Sequence, residues 1–252
     1  MKRCSLNFAC FALVFCLVVP AFADSSSQSK SVETVIIDNF DDPNAVEWSW
    51  GLIASRFIED DFPKYGYVKG LPNSLRQVAT KDVSNAQVFG IQTSFTRKGD
   101  NWVEIFPQKE NADGELVSYE IPLIGSVTQT DFWVWGSNYE YYLDLLFRDT
   151  DGRVITLTGT CLNFHGWQNV IVEIPGWVKQ KSSLRSGPDH LSFVGFHVRT
   201  DPSAPVDDFM LYLDNFRYTT NTYPDVYDGY SLRQTDFDSL NSVNGTEGDN
   251  GQ

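Results

Sequence analysis

The chain has 252 residues, of which 33 are acidic and 19 are basic, so its formal net charge is −14 at pH 7. Nucleic acid and anionic membrane surfaces are disfavoured as partners, because both bind proteins through basic surfaces. Beyond the N-terminal segment, no apolar stretch approaches the roughly 18 residues that a membrane helix needs, so membrane insertion is not expected.

Residues 1–23 have the pattern of a signal peptide. Lys2 and Arg3 precede an apolar run, and Ala-Phe-Ala at residues 21–23 supplies the small residues of a cleavage site. We therefore expect export, and cleavage after this motif would remove three of the four cysteines. The remaining Cys161 cannot form an internal disulfide, so the core must stabilise the exported chain.

The rest of the chain divides into three segments by composition. Residues 24–31 (DSSSQSKS) are polar and are predicted to be a disordered linker. Residues 32–226 are predicted to form one β-sandwich domain, because all-β domains of about 200 residues are ordinary. Residues 227–252 contain five acidic residues and one arginine and lack apolar periodicity. They are predicted to be a flexible, acidic and polar tail.

Within the central segment, ten stretches rich in β-branched and aromatic residues predict strands. In chain order they cover residues 34–40, 88–97, 102–106, 116–121, 131–135, 141–148, 154–158, 169–174, 191–199 and 209–218. Strands without crossover helices predict an all-β fold, a jelly-roll sandwich of two antiparallel sheets. Residues 57–75 contain Pro63 and Pro72 and are predicted to be an irregular N-terminal segment.

Alternation with a period of two predicts which side chains face the core. The predicted inward set is Phe132, Val134, Tyr141, Leu143, Leu145, Phe147, Val194, Phe196 and Val198. Several aromatic residues are left facing outward. Four of them are the candidate contacts to a partner protein or a glycan: Trp102, Trp135, Tyr142 and Trp167. Trp48, Trp50 and Trp177 are also expected to be exposed.

Outward aromatic rings suit two kinds of partner. Planar rings stack on sugar rings, and tryptophan and tyrosine are favoured anchors of protein interfaces. A plainer interpretation is that most of the seven tryptophans close the ends of a large sandwich. The sequence leaves these alternatives open.

Motifs that would indicate an enzyme are absent from the sequence. There is no G-x-S-x-G elbow, phosphate-binding loop, H-E-x-x-H motif or C-x-x-C pair. Glu140 and Asp144 lack the spacing of a glycosidase carboxylate pair. The three histidines show no metal-ligand spacing. We therefore expect no catalytic activity and no required cofactor.

The sequence offers one candidate site for a structural Ca²⁺ ion. Asp38 ends the first predicted strand and Asp214 lies in the last, and these strands are often neighbours in jelly rolls. Clustered carboxylates suit Ca²⁺, so both residues are candidate ligands. The alternative is that they accept hydrogen bonds from backbone amides or pair with Arg217.

Two resemblances are visible in the motifs. The stretches FWVWG, LLFRDTDG, GWQNVIVEIP and FMLYLDNFRY, within residues 131–218, look like the strands of jelly-roll modules related to carbohydrate-binding modules. The opening VETVIIDNFDDPNAVEWSWG, followed by SRFIEDDFPKYGYVKGLPNSLR, resembles the FlaA family of sheath proteins on the periplasmic flagella of spirochaetes. This second resemblance covers nearly the whole chain after the signal peptide.

The FlaA resemblance implies a structural sheath subunit in the periplasm that coats the flagellin core and sets filament curvature, stiffness and motility. Its implied partners are the flagellin core protein and other flagellar sheath proteins. The alternative hypothesis is a secreted carbohydrate-binding module without catalytic activity, with the sugar stacked on Trp102, Trp135 or Tyr142. A third hypothesis joins the two resemblances: a sugar-binding face retained from the jelly-roll fold would contact glycans on flagellin.

Overall fold

The computed structural model describes residues 32–76, 83, 85–182 and 189–221. The predicted signal peptide, the linker at 24–31 and the tail at 227–252 lie outside these residues, and their boundaries stay predictions. Among the described residues, no helix is both long enough and apolar enough to cross a membrane.

The described chain contains thirteen strands and one helical turn. In order they are β1 (Val32–Asp38), β2 (Ser49–Ala54), β3 (Lys64–Lys69), α1 (Asn73–Arg76), β4 (Gln87–Thr93), β5 (Trp102–Glu110), β6 (Leu116–Ser118), β7 (Ile121–Leu123), β8 (Ser126–Ser137), β9 (Tyr141–Arg148), β10 (Val154–Cys161), β11 (His165–Glu173), β12 (Leu191–Thr200) and β13 (Phe209–Asn221).

The strands form two antiparallel sheets, which we call sheet A and sheet B. Sheet A has the order β11-β8-β13-β4-β3, and β1 pairs with the C-terminal half of β13. Sheet B has the order β10-β9-β12-β5-β2, with β6 paired to β5 and β7 paired to β12. The prediction of an all-β sandwich of two antiparallel sheets is confirmed, and the first and last described strands are neighbours as expected.

Phenylalanines from both sheets meet in the core between them. Phe132 and Phe216 of sheet A contact Phe196 of sheet B, with ring centroids 5.2 and 5.0 Å from its own. Phe193 of sheet B lies 4.7 Å from Phe216. All four rings are fully buried, and burying each such ring stabilises the fold by roughly 1.5–3 kcal/mol. The inward positions predicted on β8 and β9 are likewise buried.

Val194 is a correction to the predicted inward set. The pairing of β12 with β9 shifts between Phe193 and Gly195, so a bulge interrupts the strict alternation of the strand. Phe193 and Phe196 therefore both face the core, and Val194 is only half-buried on the outer side.

The N-terminal part of the domain is more regular than predicted. Residues 57–75 contain β3, which pairs with β4 along six residues, so the prediction that this segment lacks regular strand was wrong. The strand predicted at 116–121 is two short strands, β6 and β7, which pair with different partners. The sequence did not predict β3 because Gly66 lies inside it and Pro63 lies just before it, and both residue types normally indicate turns.

Trp50 is also not exposed, contrary to expectation. It lies on the previously unpredicted strand β2, and only 3% of it is accessible to solvent. Its indole packs against Phe40 and Phe196 at centroid distances of 5.7 and 5.9 Å. Trp48 packs edge-on against Trp50 at 4.9 Å and is partly buried. Both residues therefore support the core, as in the plainer interpretation of the tryptophans.

Candidate functional site

The four candidate aromatic residues fall on two opposite outer faces of the sandwich. Trp135 and Trp167 lie on sheet A, in β8 and β11. Trp102 and Tyr142 lie on sheet B, in β5 and β9. The structure therefore brings the candidates together as two pairs and separates the pairs by the core.

On sheet A, three aromatic residues form a line across adjacent strands, which we call the aromatic row. Trp167 is the cross-strand partner of Trp135, and Trp135 is the cross-strand partner of Tyr212 on β13. The rings of Trp135 and Tyr212 meet edge to face, with centroids 5.4 Å apart. This cross-strand contact holds the half-buried rings of Trp135 and Tyr212 in a fixed relative position, and the strand register places Trp167 next to them on the same face.

The aromatic row ends in a shallow trough of about 250 Å³. Tyr212 pairs with Gly90 on β4, and Gly90 pairs with Gly66 on β3. A side chain at Gly90 would collide with the Tyr212 ring, whereas a Cβ at Gly66 would meet no atom within 4 Å. The two glycines thus leave an open depression beside the rings, lined also by Lys64, Val68, Gln92 and Met210.

On sheet B, Arg199 lies between the two candidate rings. Its position on β12 pairs with Trp102 on one side and with Tyr142 on the other. The guanidinium carbon lies 4.3 Å from the centroid of the Tyr142 ring, and Nε donates a hydrogen bond of 2.9 Å to Asp144 Oδ2. The Asp144 side chain is almost fully buried, so this ion pair fixes the guanidinium across the Tyr142 ring.

His197 completes this side of sheet B. It lies two residues before Arg199 and therefore on the same face. Its ring is stacked with Trp102 at a centroid distance of 6.0 Å, and its Nδ1 is 3.1 Å from Glu104 Oε1. Together with Asp100, Asn101, Thr200, Asp201 and Pro202, the side chains of Trp102, Tyr142, His197 and Arg199 line a cleft of about 600 Å³, which we call the aromatic cleft.

The aromatic cleft contains both hydrogen-bond donors and acceptors. Hydrogen bonds from the side chain and backbone of Ser203 lower the pKa of Asp201, which is therefore a carboxylate at neutral pH. Desolvation is the main cause that raises the pKa of Tyr142, and the negative charge of the nearby Glu140 raises it further. The phenol of Tyr142 is therefore protonated at neutral pH. The cleft can thus bind a polar group from several directions and has aromatic surfaces beside it.

The two candidate calcium ligands are buried on neighbouring strands. Asp38 on β1 is paired with Phe216 on β13, two residues from Asp214. One carboxyl oxygen of Asp38 accepts a hydrogen bond from the amide of Phe40, and the other accepts one from Trp50 Nε1 at 2.9 Å. In the part of the chain that the structure describes, no group of three or more histidine, cysteine, aspartate or glutamate residues is placed to hold a metal. Calcium binding at this pair stays a prediction.

Three residues of these faces were not named as candidate contacts from the sequence, although alternation places His197 and Arg199 on the outward side of their strand: Tyr212, His197 and Arg199. The alternation that identified Tyr142 applies equally to them, because each lies between buried neighbours on its own strand. Their pairing with Trp135, Trp102 and Tyr142 depends on strand order, which one sequence does not contain.

Comparison with known proteins gives a family match and one curated relative. The family model described as flagellar filament outer layer protein FlaA matches residues 29–228. A Brachyspira hyodysenteriae protein described as flagellar filament outer layer-like is 22% identical over 199 residues, which are 79% of this chain and 84% of the relative.

Solved structures similar to this chain include two carbohydrate-binding modules. The family 11 module of a cellulosomal cellulase of Clostridium thermocellum has a TM-score of 0.41 and 10% identity, and the match covers 78% of this chain and 99% of the module. The module TmCBM61, in complex with β-1,4-galactotriose, has a TM-score of 0.37 and 13% identity, over 68% of this chain and 88% of the module.

Proposed function

We propose that this chain, which belongs to the FlaA family of flagellar filament outer layer proteins, is a structural subunit that coats the flagellin core of a periplasmic filament. The observation that carries this proposal is the family match, because it spans the whole described sandwich from β1 to β13. In this role the subunit contributes to the curvature and stiffness of the filament and so to motility.

The aromatic row is the proposed docking surface for the flagellin core. It places three large rings on one exposed sheet face, beside a trough that can receive a side chain of a partner. Tryptophan and tyrosine are the residue types most often found as anchors of protein interfaces. Rings held by cross-strand contacts lose little conformational entropy on binding, which favours association.

A layer around a filament also requires contacts between its subunits. Such contacts join one surface of a subunit to a different surface of the next subunit. Head-to-tail pairing of this kind extends an array, whereas pairing of identical surfaces stops at a dimer. A sandwich with one face on the core leaves its ends and its second face for neighbouring sheath proteins. Catalysis and a cofactor have no part in this role, and the predicted signal peptide at 1–23 supports delivery to the periplasm.

The proposal is tested by removing rings from the aromatic row. Co-sedimentation of the purified chain with stripped flagellar filaments measures its apparent Kd for filaments. We expect Trp135→Ala and Trp167→Ala each to raise this Kd by about tenfold or more.

Trp177→Ala is the matched control for these variants. Trp177 is 67% exposed, so its truncation removes a surface tryptophan that lies outside the aromatic row. Urea unfolding of each variant checks that the sandwich is intact. Equal affinity of all three variants and the unmodified chain would show that the aromatic row is not the docking surface.

A further inference from the structure

We propose that the aromatic cleft on sheet B binds the pyranose ring of a neutral or amino sugar. This site lies on the opposite side of the sandwich from the aromatic row, so it adds a ligand-binding activity to the proposed structural role. It does not require that role, because it rests on the side chains of β5, β9 and β12.

The rings of the cleft provide the apolar part of such a site. Trp102 is stacked with His197 and is half-buried, so part of its indole remains available at the cleft. The C–H groups on one side of a pyranose carry slight positive charge and pack on the negatively polarised face of an aromatic ring. A concave site lined by aromatic side chains with a few polar groups is the usual composition of a small-ligand site.

Arg199 provides hydrogen-bond donors in a fixed orientation. Its Nε is bonded to Asp144 and its guanidinium covers Tyr142. The two terminal nitrogens, with four N–H groups between them, form no hydrogen bond with the described part of the chain. A guanidinium already held by an ion pair can donate to adjacent hydroxyl groups of a sugar with little further loss of side-chain entropy.

The buried carboxylate of Asp144 is a second, independent observation. Its Oδ2 accepts the bond from Arg199, but its Oδ1 is buried and has no hydrogen-bond partner among the described residues. A buried carboxylate oxygen without a donor is costly, so native structures normally supply one through protein, water or ligand. Asp144 does not itself line the cleft, but it pairs with His197 and lies two residues from Tyr142, both of which do, so a water bound beside these residues can supply that donor.

The charges of the cleft determine which sugars fit. Arg199 is neutralised by Asp144, whereas Asp100 and Asp201 line the cleft without a basic partner among the described residues. These carboxylates accept hydrogen bonds from sugar hydroxyls and attract an amino group. They repel the carboxylates of uronic and sialic acids, which are therefore excluded as ligands.

Two sources could present this chemistry to an exported protein. One is a glycan attached to a neighbouring protein, and the other is a glycan strand of the cell wall. The cleft has a volume of about 600 Å³, which is room for only a few sugar rings. It would therefore contact the same short stretch of sugar in either glycan, and the chemistry of recognition is the same for both. Separate titrations with glycopeptides from purified filaments and with solubilised wall strands distinguish them.

The test is isothermal titration calorimetry of the full chain lacking only the signal peptide. The probes are neutral gluco- and galacto-oligosaccharides, N-acetylglucosamine oligomers, glucosamine oligomers with free amino groups and, as a negative class, uronic acid oligomers. We expect at least one neutral or amino-sugar probe to bind with a Kd below about 1 mM. We expect Trp102→Ala and Arg199→Ala each to raise the Kd of that probe by about tenfold or more. Trp102→Phe should raise it less than Trp102→Ala, because an aromatic ring is kept.

The control is Trp135→Ala on the opposite face, which should leave the sugar Kd unchanged. The proposal is overturned if no neutral or amino sugar binds, if only uronic acids bind, or if Trp135→Ala weakens sugar binding as much as Trp102→Ala. Co-sedimentation with filaments is scored separately on the same variants. Absence of sugar binding by the unmodified chain, with normal co-sedimentation, would remove this inference alone. Sugar binding by an unmodified chain that does not co-sediment with filaments would remove only the proposed structural role.

Discussion

Trp50 shows how one side chain can connect the N-terminal segment to the core. Its indole is buried among phenylalanines, and its Nε1 donates to the buried carboxyl group of Asp38. We expect Trp50→Phe to lower the free energy of unfolding by about 2 kcal/mol, because a buried acceptor loses its donor and the smaller ring leaves a void. Urea unfolding followed by far-UV circular dichroism measures this change.

Trp48→Phe is the control for that substitution. Trp48 is adjacent in space, but its indole nitrogen has no hydrogen bond to the described residues, so the expected loss is about 1 kcal/mol or less. Equal losses for the two variants would show that the contact between Trp50 and Asp38 contributes nothing beyond packing.

Tyr141 is expected to make the free energy of unfolding depend on pH in the alkaline range. Its hydroxyl is buried and donates to the carbonyl of Pro205 at 2.8 Å, and desolvation raises its pKa well above the ordinary value of 10. The neutral phenol is therefore favoured in the folded chain. Its stabilising contribution is complete below pH 10 and declines as the pH rises further, because the unfolded chain ionises first.

Tyr141→Phe tests this pH dependence directly. At pH 8 the variant should be less stable than the unmodified chain by about 1–2 kcal/mol, the value of the lost hydrogen bond. Above pH 10 the difference should shrink by up to about 1.4 kcal/mol for each pH unit. A difference that stays constant up to pH 11 would contradict the assignment of a raised pKa to Tyr141.

At the scale of single residues, the sequence correctly predicted which side chains are buried wherever the alternation of a strand is unbroken. Tyr141 was assigned to the core and Tyr142 to the surface because they are adjacent on a strand, and both assignments are confirmed. Trp50 could not be placed in this way, because its strand β2 was not recognised. Its partner Asp38 is twelve residues away in sequence.

At the scale of strands, Gly195 marks a position where only glycine fits. A Cβ there would lie 2.7 Å from the carbonyl oxygen of Ile105 on β5, which is backbone and cannot move independently. We expect Gly195→Ala to destabilise the chain by about 2 kcal/mol, since the bulge in β12 must shift against its neighbour. Chemical denaturation gives the free energy of unfolding.

Gly66→Ala is the matched control, because it places the same methyl group in another strand. No atom lies within 4 Å of a Cβ at Gly66, so the free energy of unfolding should change by less than about 0.5 kcal/mol. A loss at Gly66 as large as that at Gly195 would show that glycine is needed in these strands for a reason other than close backbone contact.

The same bulge explains the limit of prediction for strands. Composition and alternation predicted two antiparallel sheets, yet Val194 was placed in the core because alternation cannot show where a strand gains a residue. β3 was missed because it is an edge strand with glycine inside it and therefore lacks a continuous apolar side. Such features depend on contacts with neighbouring strands.

At the scale of the whole molecule, the sandwich separates two aromatic surfaces by its core. The aromatic row on sheet A is the proposed docking surface, and the aromatic cleft on sheet B is the proposed sugar site. Sequence motifs predicted the family and most of the rings. The division of those rings between two faces could not be predicted, because it follows from the order of strands in each sheet.

The central claim is that this chain is a sheath subunit of periplasmic flagellar filaments. The most direct test follows the protein by mass spectrometry through the purification of detergent-extracted filaments. We predict that it copurifies with the filaments and is released by acid or heat treatment that leaves the flagellin core intact. Its absence from the filaments, with the protein free in the periplasm or the medium, would contradict the proposed function.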